Sequence, residues 1–66
     1  MSVAKTIEIS AESPNGFRDA AKLGIDRAKS TVDNIEGAWI KEQQVVVDDG
    51  EISGYRVNMK VTFLLK

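Results

Sequence analysis

Residues 54–65 read GYRVNMKVTFLL and decide the fold. Tyr55, Val57, Met59, Val61, Phe63 and Leu65 fall on one side of an extended chain, and Arg56, Asn58, Lys60 and Thr62 on the other. That period of two is the pattern of a half-buried strand. Just upstream, DDGE at 48–51 carries an Asp-Gly step, the signal of a type I′ hairpin turn. Before it, AWIKEQQVVV at 38–47 reads as the partner strand. With Asp49-Gly50 at the tip, Asp48 faces Glu51. Ile40 then faces Met59 and Ala38 faces Val61 on the apolar side. Trp39 faces Lys60, Lys41 faces Asn58 and Gln43 faces Arg56 on the other side, provided no bulge intervenes.

The apolar side of this hairpin needs a cover, and FRDAAKLGIDRAKSTVDNI at 17–35 supplies it. Phe17, Ala20, Ala21, Gly24, Ile25, Ala28, Val32 and Ile35 recur at spacings of three and four, one face of a helix. Gly16 is the expected N-cap, and Asp19 in the first turn suits the helix dipole. Gly24 costs up to ~1 kcal/mol of helix propensity, so a close approach to a sheet is its expected return. VAKTIEIS at 3–10 alternates again, with Val3, Ile7 and Ile9 on one face. ESPNG at 12–16 is the turn between that strand and the helix. The expected fold is therefore α+β, of order β-α-β-β, an antiparallel three-stranded sheet wrapping one amphipathic helix in a single domain, 1–66.

Sixty-six residues are few for a lone core. Such a chain buries about 60% of its unfolded surface, and below roughly 70–80 residues a core rarely supplies more than ~3–5 kcal/mol. There is no cysteine for a disulfide and no histidine for zinc, so self-association is the expected remedy. Nine basic and ten acidic residues are interspersed, net −1, which argues against a nucleic-acid partner. No apolar run approaches the ~20 residues of a membrane span, and MSVAKTIEIS alternates rather than forming a signal peptide. A soluble, cytoplasmic protein is expected.

Candidate chemistry sits on the side of the hairpin away from the helix. Trp39, the only tryptophan, has three readings there: a subunit interface, a ligand platform or plain exposure. Arg56, Lys60 and Lys41 share the face with it. They suit either an anionic ligand or an ion pair from Arg56 to Glu42 or Glu36 of a neighbouring subunit. DDGE lacks the spacing of a calcium loop. With no histidine or cysteine, and with Ser13, Ser30 and Thr31 lacking a base partner, no catalysis is expected.

MSVAKTIEI at the start, SPNGFRDAAKLGIDRAKSTVDNI in the middle and YRVNMKVTF at the end together resemble the dodecin family over residues 2–64. The resemblance implies a β-α-β-β subunit, twelve of which form a hollow shell of cubic symmetry, a non-catalytic homododecamer that stores flavin (FMN, riboflavin or FAD). In flavin-binding members a tryptophan opening the second strand stacks on the isoalloxazine ring; aligned from TVDNI, its place here is Gly37. The glutamine that follows a tyrosine in the third strand hydrogen-bonds the flavin; here Arg56 follows Tyr55. The chain resembles a subgroup with Tyr-Arg and Glu-Gln (Glu42, Gln43) at these places, one branch of which is associated with calcium. The hairpin register and the resemblance together give the candidate ligand or interface residues Gly37, Trp39, Gln43, Arg56 and Lys60. Trp39 lies two residues beyond the family's stacking position, on the same face of the strand, ~7 Å away.

Overall fold

Period-two alternation becomes three long strands in the computed structural model, which describes residues 3–65. Met1, Ser2 and Lys66, part of the expected 1–66 domain, lie outside the described residues. The order is β1 (Val3–Ser13), α1 (Phe17–Ala28), β2 (Ile35–Asp48) and β3 (Glu51–Leu65). The sheet runs β1-β3-β2 and is antiparallel throughout, which is the expected β-α-β-β architecture. The apolar side of β3 carries the core: Val57, Met59 and Val61 are at most 1% exposed and meet Ala20 of α1. Ile7, Ile9, Ala11, Phe17, Ala21 and Ile25 close around them. A side chain on Gly24 would collide with the end of Met59 and press on Ala11 Cβ at 3.2 Å. Close packing is thus what the helical glycine gains.

Three boundaries differ from the sequence reading. β1 runs to Ser13 instead of ending near residue 10, because its ladder with β3 continues to the Ser13–Tyr55 pair. The helix stops at Ala28 although the apolar spacing continues to Ile35. Polar residues end it: the Ser30 and Thr31 hydroxyls donate to the carbonyls of Arg27 and Ala28, and Asn34 turns to φ 62°. Short polar side chains compete with the helix for backbone partners in this way. Ile35 consequently opens β2, opposite Phe63. At the other end Gly16 is the N-cap but has no side chain to cap with. The 1%-exposed Ser13 secures the entry instead, donating to Asp19 Oδ2 at 2.5 Å and accepting from the Asn15 N–H at 3.0 Å.

The hairpin turn has positive φ at both central residues, 52° at Asp49 and 76° at Gly50, as a type I′ turn requires. Three one-residue irregularities then alter the register, the last of them at Glu36, between the Gly37–Thr62 and Ile35–Phe63 pairs. Ser53 has no partner on β2, so Val46 faces Gly54, Gln44 faces Arg56, Gln43 faces Val57 and Glu42 faces Asn58. Lys41 has no partner on β3, and this second slip restores Ile40–Met59, Trp39–Lys60 and Ala38–Val61. The bulges at Ser53 and Lys41 sit on opposite strands and cancel. Gln43 is therefore not beside Arg56, and Lys41 is not opposite Asn58; the simple count along the hairpin is corrected between residues 41 and 46.

The molecule is long, 50 × 19 × 14 Å, with a Cα radius of gyration of 13.5 Å, where a compact chain of this length would have about 11 Å. The far part of the β2–β3 hairpin projects beyond the helix, with Val45, Val47 and Ile52 exposed.

Candidate functional site on the outer sheet face

Away from the helix the sheet presents four rows of three residues, one from each strand. In the order β1, β3, β2 they are Thr6–Thr62–Gly37, Glu8–Lys60–Trp39, Ser10–Asn58–Glu42 and Glu12–Arg56–Gln44. Gly37, Trp39, Arg56 and Lys60 thus share one face. Gln43 does not join them, because its row partner is the buried Val57 on the helix side.

Most polar groups of this face are already partnered. Arg56 donates from Nε at 3.0 Å and Nη2 at 2.8 Å to Glu12 Oε1. This contact forms within the chain because β1 lies directly against β3. Glu42 accepts instead from Asn58 Nδ2 at 3.1 Å, and Asn58 Oδ1 accepts from the Ser10 hydroxyl at 2.5 Å. The bulge turns Lys41 outward beside Glu42, and its Nζ donates to Glu8 Oε1 at 3.2 Å across the central strand. Glu8, Ser10, Lys41, Glu42 and Asn58 line a shallow polar depression. Lys60, half-buried between Glu8 and Trp39, makes no ion pair among the described residues. Trp39 is 72% exposed, and no atom lies within 4 Å of the place a Cβ would occupy on Gly37.

Sequence reasoning missed Glu8 and Glu12 as members of this face. Their signal was present: the outward side of the first strand is acidic where that of 54–65 is basic, and opposite charges pair across neighbouring strands.

The family's flavin contacts do not fit this face. Gly37 offers open space where an aromatic ring would be needed, and Arg56 is engaged by Glu12 where a neutral amide would be needed. Among the described residues no three Asp or Glu side chains gather as a metal site within one chain. No helix of the described residues is long and apolar enough to cross a membrane.

The dodecin family model matches residues 3–66. This chain belongs to the dodecin family. It is 36% identical over 66 residues to the calcium dodecin of Mycobacterium tuberculosis, covering all of this chain and 93% of that one. The crystal structure of that calcium-chelating dodecin, described with a calcium-binding site, superposes with a TM-score of 0.86 at 35% identity, covering 98% and 93% of the two chains. A dodecin from Streptomyces davaonensis superposes with a TM-score of 0.94 at 32% identity, covering 98% and 96%. Dodecins are binding and storage proteins that form homo-oligomers. Flavin is the family's ligand and calcium that of the Mycobacterium relative, so both groups anticipated from the sequence occur in the family.

Proposed function

We propose that this chain is the single-domain subunit of a non-catalytic, cytoplasmic homododecameric shell. The shell binds a small ligand on the outer sheet face, at a place shifted from the family's flavin position. One observation carries this reading: an exposed Trp39 stands opposite an ammonium without an ion-pair partner among the described residues, Lys60, beside the open floor at Gly37. An indole face stacks planar rings, and the ammonium attracts an anionic group. A small planar or anionic molecule is the ligand this arrangement favours. Flavin in the family's usual mode is not, because Gly37 and Arg56 supply neither of its contacts. The shell itself is supported by family membership and by a chain too elongated to bury its own hairpin.

A second reading, a shell without flavin that binds calcium between subunits, is favoured by the calcium dodecin relative and by the carboxylates of Glu8, Glu12 and Glu42 on this same face. Since no single chain gathers them, the ion would be held by carboxylates of several copies.

Native mass measurement tests the shell: a particle of about twelve times the 7.2 kDa chain is expected, and a monomer at micromolar concentration overturns it. Titration of the assembled protein with riboflavin and FMN, read by Trp39 emission and flavin fluorescence, tests the ligand site. Quenching of flavin fluorescence that is lost in Trp39→Phe, and quenching of both signals that is lost in Lys60→Ala, support the shifted site. A thermal midpoint that falls on chelation and returns with calcium, without any quenching, favours the second reading through the stabilisation that binding gives the folded state.

A further inference from the structure

The turn between β1 and α1 holds the only Asn-Gly step of the chain, Asn15-Gly16. It does not belong to the outer-face site. Asn15 is exposed, and Gly16 has φ +145° with open space where a side chain would stand. The bonds that hold the turn run from the Asn15 N–H to Ser13 Oγ and from the Ala20 N–H to the Gly16 carbonyl. The Gly16 N–H makes no hydrogen bond among the described residues. An asparagine amide beside an unhindered, unengaged backbone nitrogen is the chemical setting for intramolecular cyclisation, the reaction that makes asparagine a thermolabile residue.

We propose that Asn15 is a spontaneous deamidation site that changes the entry of the helix as the protein ages. The Gly16 nitrogen gives its proton to solvent and bonds to Asn15 Cγ. The Cγ–Nδ2 bond breaks, and the nitrogen leaves as ammonia after taking a proton from water, closing a five-membered imide. Water then opens the imide at either carbonyl. One opening yields aspartate at position 15; the other yields isoaspartate, with one more methylene in the main chain. No oxidant or reductant is involved, and water is the only co-reactant.

The position gives the reaction a structural consequence. Asn15 Nδ2 is the donor to Asp19 Oδ2, at 3.5 Å, and the same Asp19 oxygen accepts from the buried Ser13 hydroxyl. Deamidation replaces that donor by a second carboxylate facing Asp19, so a contact that closes the junction becomes a repulsive one. Two other asparagines serve as internal controls. Asn34 precedes Ile35, whose β-branched side chain crowds the attacking nitrogen. Asn58 lies within β3, and its side chain is bound to Ser10 and Glu42.

The experiment is a time course on the full-length protein at neutral and mildly alkaline pH, followed by digestion and mass mapping of all three asparagines. The expected result is a gain, at Asn15 well ahead of Asn34 and Asn58, of the mass difference between amide and acid. It should split into aspartate and isoaspartate, be faster at the higher pH, and be absent in Asn15→Gln. Equal rates at the three asparagines, or an unchanged Asn15 in the folded protein while the urea-unfolded chain reacts there, would overturn the proposal.

Discussion

β2 and β3 are two arms of one hairpin, yet they stand in opposite situations. β3 lies between two strands and under the helix, and Val57, Met59 and Val61 are shut away from water. β2 is an edge strand with no fully buried residue, and it leaves Trp39, Ile40, Val45 and Val47 exposed. Monomeric proteins manage long apolar edges with charge, proline or brevity. Here β2 runs fourteen residues and ends in VVVD. The difference locates what one chain completes by itself: the contacts of β3 are finished within the chain, and the apolar side chains of β2 are left uncovered.

The strongest way to break this comparison is Met59→Ala. It removes a fully buried side chain beneath Gly24 and should cost about 2–5 kcal/mol in urea unfolding of the subunit; a cost near zero would mean that β3 is not the core. Next comes Glu12→Gln, which unties Arg56. The pair is half-exposed at both ends, so the loss should be about 0–1 kcal/mol and shrink with added salt, as seen in chemical denaturation at two ionic strengths. Val47→Ser sharpens the contrast from the β2 side. It should leave the unfolding free energy of the subunit within about 0.5 kcal/mol while shifting native mass toward smaller species; an intact particle would show that the hairpin end is not a contact. Smallest of all is Asp26→Asn on the helix. A hydrogen bond from Lys22, with Lys29 helping, holds the Asp26 carboxyl below its usual range. A depressed carboxyl stabilises the fold at pH above its unfolded value, and that contribution fades as pH falls through the lower folded one. The variant should accordingly show slightly less loss of thermal midpoint on acidification than the parent chain.

Residues whose neighbours are set by alternation were legible in the sequence. The β3 core face, the Asp49-Gly50 turn and the row joining Trp39 to Lys60 all follow from period two and one turn signal. What escaped were slips and stops. Nothing in VVVDDGEIS marks Ser53 as unpaired, and nothing in WIKEQ marks Lys41. Hence Gln43 was expected beside Arg56, whereas Gln44 stands there. The helix end was hidden because Val32 and Ile35 keep helical spacing, while the Ser30 and Thr31 hydroxyls and the left-handed Asn34 decide otherwise. Within the candidate site, the partner of Arg56 was out of reach of hairpin counting because Glu12 arrives from β1, whose register with β3 depends on how the helix folds back.

That last pairing also governs how the sheet is put together in time. The β2–β3 hairpin is closed by a two-residue turn, and such hairpins form in roughly 1–10 μs. β1 must instead find β3 from the opposite end of the chain, since Val3 pairs with Leu65, and contacts of such sequence separation slow folding. β1 is thus the late piece of the sheet, and until it docks, one edge of β3 stands open. In a crowded assembly reaction, the β1 of another copy competes for that same edge, so the balance between self-docking and strand exchange depends on how fast α1 draws its own β1 home.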